Sequence, residues 1–280
     1  MASILAIETS TTACSVALSV GESRFSRYSE EPRSHTRLIM AMVDAVLVEA
    51  GVAVAALDAI AVTVGPGSFT GLRIGFATAQ GLAFGAQVPV IAVSTLQVMA
   101  QTYRRKTNLS DQQTGILMPL LDARMGEFNC GAYELDSAGE YQAVIEDQLL
   151  SGEDAKLLIA RLHPFMIVGD ASSIVSEAFG DKALDDKALD DKAPDNKAPD
   201  NKALDNKALD DQALDHKLLD NNKTHSQQPG YQSIYPDAID LLDIALIKQA
   251  RDEAVDIASV ELVYLRGTDA WKKHTKLRAV

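Results

Sequence analysis

The sequence is short of most features that mark a secreted, membrane-bound or polyanion-gripping protein. Its two cysteines, Cys14 and Cys130, are too few in 280 residues for a disulfide framework and suit a reducing compartment. No apolar run approaches the ~20 residues of a membrane span, and Met1 to Ala6 shows no basic-then-apolar leader. Cations are scarce: 26 Lys and Arg face 39 Asp and Glu, a net charge of −13, which argues against holding nucleic acid unaided. The five histidines (His35, His163, His216, His225 and His274) are never three to five residues apart. HExxH, CxxC, GxGxxG and a Walker lysine pattern are also missing, so a dedicated metal or phosphate motif is not expected. What remains is a globular, cytoplasmic chain whose apolar fraction of 47% can build the cores of two lobes.

The strongest positive signal is the stretch Thr63-Val64-Gly65-Pro66-Gly67-Ser68-Phe69-Thr70-Gly71-Leu72-Arg73-Ile74-Gly75. Ala59 to Val64 is an apolar strand, and Gly65-Pro66-Gly67-Ser68 breaks it. Thr70 to Gln87 then has helical length, with Gly71, Gly75, Ala79 and Ala83 on one stripe at four-residue spacing. Each interior glycine costs about 1 kcal/mol relative to alanine, so propensity does not explain the stripe. Three readings stand: a helix packed tightly on its own sheet, a phosphate held at the helix N-terminus, or a partner helix laid along the smooth face.

Taken in order, Ile4–Glu8, Ala13–Val20 and Arg24–Tyr28 read as strands. A helix capped by Ser34 and stopped by Gly51 follows, with Leu38, Ile39, Met42, Val43, Val46 and Leu47 at helical spacing. Val88–Val93 is a strand, and Ser94 caps a helix to about Arg104. The pattern then restarts. Gly115–Leu121, Glu127–Tyr133 and Tyr141–Leu149 are strands, and Ser151-Gly152-Glu153-Asp154 opens a helix as a capping box with Asp in the usual Glu position. Phe165–Val168 is a strand and Ser172–Phe179 a short helix, and Pro236 opens a last helix through Ala250. The expected fold is α/β, with two βββαβα lobes of mixed sheets and a cleft between them. The lobes are read as residues 1–105 and 106–265, followed by a basic tail at 266–280.

Within the second lobe, residues 181–220 are eight pentapeptides, Asp181-Lys182-Ala183-Leu184-Asp185 onward, holding 12 Asp and 7 Lys. A period of five turns each leucine about 140° around a helix, so no apolar stripe forms. Residues 181–230 therefore read as a disordered insertion without chemistry, the first place that limited proteolysis should cut.

Few residues offer chemistry. Glu8 ends the first strand beside the hydroxyl-rich turn Thr9-Ser10-Thr11-Thr12, where a nucleotide-binding hairpin would hold phosphate, yet the turn has no glycine. Arg124, between Asp122 and Glu127 in a hairpin turn, suits a ligand phosphate, a partner acid or a local ion pair. His35 reads as an exposed or capping residue and Cys14 as a buried thiol.

These residues together resemble the TsaB (YeaZ) family. The matching pieces are Ile4-Leu5-Ala6-Ile7-Glu8-Thr9-Ser10, the glycine-rich stretch above, Val93-Ser94-Thr95-Leu96, Asp122-Ala123-Arg124-Met125-Gly126-Glu127 and Val263-Tyr264-Leu265-Arg266. The resemblance implies an actin-like (ASKHA) fold and a non-catalytic subunit pairing with TsaD. TsaD, with the ATPase TsaE, moves threonylcarbamoyl from its adenylate to N6 of the adenosine beside the anticodon. It implies no cofactor on this chain, ATP or ADP and metal on TsaD and TsaE, and tRNA reached through the complex; apart from the resemblance, a smooth stripe left exposed would suit a homodimer when the chain is alone. The interface it implies lies on the helices near His35–Ala50 and Thr70–Gln87, at His35, Leu38, Met42, Gly71, Leu72, Gly75, Phe76 and Ala79. On that basis, a bulky residue at Gly75 should block pairing without unfolding the chain. Glu8, Thr9, Asp122, Arg124 and Glu127 are the implied nucleotide or partner contacts. There are departures: Glu8 stands where the family usually has Asp, and Leu262 where it has Pro. Ile39 occupies the place of the second histidine in a relative's HxxxH metal pair. A glycoprotease-like metallopeptidase and a self-contained kinase of the same fold are the competing functions.

Overall fold

Burial along the first three strands sets their order in the sheet. β1 (Ile4–Glu8) is buried at every residue, β2 (Cys14–Val20) at all but its last, and β3 (Ser23–Ser29) at none. Strand β1 is therefore interior and β3 an edge. β1 pairs antiparallel with β2, Ala6 opposite Ala17, and β2 pairs antiparallel with β3. After α1 (His35–Ala50), the fully buried β4 (Ala59–Gly65) joins the other side of β1 in parallel. α2 (Phe69–Ala86) then leads to β5 (Val90–Ser94), parallel to β4, and α3 (Thr95–Thr107) closes the half. The computed structural model describes residues 2–109, 115–136, 139–180 and 229–266.

The second half repeats this plan with β6 (Ile116–Arg124), β7 (Glu127–Leu135), β8 (Tyr141–Ser151), α4 (Gly152–Leu162), β9 (Met166–Gly169) and α5 (Ser172–Phe179). β10 (Gly230–Gln232) and α6 (Ala238–Ala250) complete it. The sheet orders are β3-β2-β1-β4-β5 and β8-β7-β6-β9-β10. The two halves have one topology, and the expected actin-like duplication is what the chain adopts.

Local details mostly follow the residues. Ser94 and Ser151 accept helix N–H groups, from Leu96 and Gln97 and from Asp154, and Gly51 ends α1 in the left-handed region at φ 68°. Ser34 stands at the α1 cap position but donates to Glu31 O instead. Two expectations change. Asp237, not Pro236, caps α6: its Oδ1 accepts from Ile239 N at 3.2 Å, so the proline lies before the helix. The insertion expected over 181–230 ends too late, because Gly230 already pairs with Met166 as the first residue of β10. A three-residue strand is too short to show a period. The pentapeptide tract lies outside the described residues, as does the tail from 267 onward.

The cores show how the halves are joined. α3 buries Leu96, Met99, Ala100 and Tyr103 with Leu117, Leu121 and Tyr133 of the second sheet. α6 buries Ala238, Leu241, Leu242 and Ala245 with Ile4, Ala6 and Ala17 of the first. Each large apolar side chain so buried contributes about 1.5–3 kcal/mol. Although α6 was read with the second lobe, it covers the first sheet, so each half is finished by a helix from the other. Among the described residues no helix is long and apolar enough to cross a membrane.

Candidate functional site

The turn after β1 is the place where an actin-like fold would meet phosphate, and here its own helix fills it. Glu8 is fully buried. Its Oε1 accepts the Ser10 N–H and Oγ–H, each at 2.5 Å. The Thr63 hydroxyl lies beside the carboxyl and, like Ser10, favours its charged form. Burial pushes the carboxyl up to about 7 against the pull of the Ser10 bonds. Thr9 is also buried and donates to Gly71 O at 2.8 Å, while Ser10 O accepts from Ser68 N at 2.7 Å. A Cβ on Gly67, Gly71 or Gly75 would lie well inside 3.0 Å of Ser10 O, Thr9 O or Thr9 Oγ1 respectively. The glycine stripe thus exists so that the β1–β2 turn can press on α2. Neither Glu8 nor Thr9 is open to a ligand, and the residues present do not fit a nucleotide at this hairpin.

The same geometry corrects the expected partner face. Gly71, Leu72, Gly75 and Ala79 are buried within their own lobe, so of the three readings the first holds. His35 is buried as well, with Nε2 3.0 and 3.1 Å from the carbonyls of Thr11 and Ala13, which pins α1 to the same turn. Leu38, Met42 and Phe76 are half-buried, the last two packed on the first core. The exposed face of the α1–α2 pair consists of other residues. Val48 on α1 and Phe84 on α2 are each 80% exposed, and Met40 on α1 is exposed as well. A second small-residue stripe, Ala77, Gly81 and Gly85, also faces outward, and a Cβ on either glycine would meet nothing within 4 Å. Four-residue spacing marks both stripes equally, so the period alone could not tell inside from outside. The one added signal was Phe84 among the small residues.

In the second half the β6–β7 turn carries Asp122, Arg124 and Glu127. Arg124, Met125 and Gly126 all have left-handed backbone, with φ 70°, 62° and 76°. Asp122 holds Arg124 locally, through its backbone N–H at 2.7 Å and its guanidinium at 3.2 Å. The segment leading to Arg266 clamps the turn from outside. Arg266 Nη2 donates to the carbonyls of Ala123 and Arg124 at 3.0 Å and to the Glu127 carboxylate, and Nη1 to Met125 Sδ at 3.4 Å. Three residues earlier, Val263 N donates to Val64 O at 2.7 Å, and a Cβ on Gly65 would stand 2.5 Å from Val263 O. The segment 263–266 therefore straps β4 of one half to the hairpin turn of the other. Glu127, read as a ligand contact, is an anchor for this strap, a role with no mark in the residues around it.

The loop Val168–Ser172 is also spent on packing. A Cβ on Gly169 would fall inside 3.0 Å of Leu120 O, and Asp170 accepts from Asp122 N at 2.8 Å. Beside it, a cavity of about 630 Å³ lies between the β6–β7 turn, α4 and α5. Its lysine, Lys156, is engaged by Glu153 and Glu177 at 3.0 and 2.8 Å. Ser94 and Tyr133 both donate to Asp147, Tyr133 at 2.6 Å, so the end of β5 in the first half is tied to β8 in the second. Cys14 and Cys130 are buried thiols, pushed up by burial to about 11 and about 12.

Residues 29–237 match the family described as TsaD, tRNA N6-adenosine threonylcarbamoyltransferase. The chain is 41% identical over 152 residues to the tRNA threonylcarbamoyladenosine biosynthesis protein TsaB of Escherichia coli, covering 52% of this chain and 64% of that protein. Against the protein of the same description from Haemophilus influenzae it is 28% identical over 277 residues, 96% of each. A Pseudomonas aeruginosa crystal structure, described as similar to the peptidase YeaZ, superposes with a TM-score of 0.70 at 32% identity. It covers 95% of this chain and 100% of that one.

Proposed function

The chain belongs to the TsaB (YeaZ) family, within the wider family that the TsaD model describes, and on that premise we propose that it serves tRNA threonylcarbamoyladenosine synthesis as a non-catalytic partner of TsaD. In this reading TsaD, with the ATPase TsaE, transfers threonylcarbamoyl from threonylcarbamoyl-AMP to N6 of the adenosine 3′ to the anticodon, position 37, in tRNAs reading codons that begin with A. Nucleotide and metal belong to TsaD and TsaE. The observation that carries it is the filled hairpin: Thr9 and Ser10 are pressed onto Gly71 and Gly67, so phosphate cannot approach.

What this chain offers a partner is surface. The outward face of α1 and α2, with Met40, Val48, Phe84 and the Ala77–Gly81–Gly85 stripe, joins exposed apolar side chains to places where another backbone can come close. Stable interfaces bury about 800 Å² per partner around such anchors. The same face would self-associate when the partner is missing. The peptidase description of the P. aeruginosa protein is not carried over. His35 is spent on two carbonyls, and Ile39, one turn on, is a buried core residue, so α1 presents no ligand pair. The test is a tRNA modification assay with TsaD, TsaE and ATP. Product should depend on this chain, and turnover by this chain alone would sink the reading.

A further inference from the structure

Arg73 is the single charged residue among the 18 of α2. It is exposed, one turn before Ala77 and two before Gly81, so it stands on the same outward stripe, about 12 Å along the axis from Gly81. Its guanidinium sits 3.7 Å over the Phe69 ring, and its Nε donates to Tyr264 Oη at 3.1 Å. Phe69 and Tyr264 touch each other, with ring centroids 5.5 Å apart. Among the described residues, Arg73 Nη1 and Nη2 have neither a hydrogen bond nor an ion pair. Other arginines find carboxylates within the chain: Arg27 has Glu49, Arg37 has Glu31, Arg251 has Glu140 and Arg266 has Glu127.

We propose that Arg73 is the polar anchor of the TsaD interface, its two Nη groups taking one carboxylate of the partner. The inference rests on the proposed function and names the chemistry that the partner brings to that face. A guanidinium held by an aromatic ring below and a tyrosine oxygen at Nε is ordered before binding, so little rotamer entropy is lost when it closes on an acid. Its free edge presents parallel N–H donors, a geometry that a carboxylate matches with both oxygens. Along the same stripe Ala77, Gly81 and Gly85 carry no polar side chain, so contact there is close and apolar and tolerates sliding. Arg73 removes that freedom. A partner helix displaced by one turn would leave the guanidinium dried and unpaired, a cost that selects a single seating. Phosphate is the other anion that such a fork accepts, but a polyanion needs several cations together. No other residue of α2 supplies one, and in the turn reached through the strap Asp122 and Glu127 stand against Arg124 and Arg266. One guanidinium in an uncharged stripe matches one carboxylate on a protein surface.

The experiment titrates TsaD with the full chain by calorimetry at two salt concentrations, using wild type, Arg73→Ala, Arg73→Lys and Arg73→Glu. Alanine should weaken binding at least tenfold and reduce its salt dependence. Lysine keeps the charge and the aliphatic stem over Phe69 but loses the fork, so it should remain well below wild type. Glutamate should bind more weakly than alanine, because an acid then faces an acid, and one Asp→Arg or Glu→Arg exchange on TsaD should restore it. The unfolding midpoints of all three variants should match wild type, since the position is exposed. Equal affinities for the alanine and glutamate variants, or wild-type affinity in all three, overturn the proposal. A fluorescein-labelled anticodon stem-loop is titrated in parallel: affinity for it that falls in Arg73→Ala while TsaD affinity holds makes this a phosphate site and also overturns it. If the wild-type chain does not bind TsaD, the proposed pairing fails and this contact with it. If wild type binds and supports product formation, and the variants do so equally, the carboxylate contact alone fails.

Discussion

Gly75 carries the sharpest lesson at the scale of single residues. A side chain there was expected to obstruct a partner, but its Cβ would collide with Thr9 Oγ1 of the same lobe. Gly75→Leu should therefore destabilise the isolated chain by about 1–3 kcal/mol in urea unfolding, with partner binding lost only as a consequence. An unaltered midpoint would restore the original expectation. Glu8 makes a second prediction. Its carboxyl is raised from an ordinary 4.5 to about 7, so the folded chain holds a proton that the unfolded chain releases between those values. Stability from this group is complete below about pH 4.5, declines as pH rises, and is gone above about 7, a change on the order of 3 kcal/mol. Glu8→Gln should flatten this slope in denaturant titrations from pH 5 to 8. A slope that persists in the variant would show that Glu8 is not its source.

For secondary-structure elements, the expected binding face and the observed one belong to the same two helices. Their existence and length, and the stop of α1 at Gly51, could be read from the residues and the helical spacing. Which face looks outward could not, because Gly71, Gly75, Ala79 and Ala77, Gly81, Gly85 are both small-residue stripes of the same period. That choice is made by the β1–β2 turn, which is distant in sequence. Phe84→Glu, at an 80% exposed position, should leave circular dichroism and the unfolding midpoint unchanged and weaken TsaD binding at least tenfold in calorimetry. Wild-type affinity would remove the α1–α2 face from the reading. The strap escaped the sequence for a related reason. Nothing in Val263-Tyr264-Leu265-Arg266 announces a pairing with residues more than a hundred positions earlier. Arg266→Ala should raise amide exchange at residues 123–127 and leave α4 unchanged.

For the whole molecule, duplication was legible from the repeated order of strands and helices, and the exchange of helices was not. Periodicity shows that α3 and α6 each have an apolar face but not which sheet receives it. Asp147 ties the halves together through Ser94 and Tyr133, in the space left by Gly131, whose Cβ would lie 2.6 Å from Asp147 Oδ1. Asp147→Ala orphans two partly buried hydroxyls and should cost about 1–3 kcal/mol. In a double-mutant cycle with Ser94→Ala the losses should be non-additive. Additive losses would mean that the two groups act separately.

A nascent chain leaves the ribosome from its amino terminus, and α6 is among the last elements to emerge. The Ile4, Ala6 and Ala17 side of the first sheet thus waits, uncovered, through the synthesis of more than two hundred residues before Leu241 and Leu242 reach it. The amino-terminal half cannot mature as an independent unit during translation, and a truncated product ending near residue 109 should be bound by chaperones or degraded.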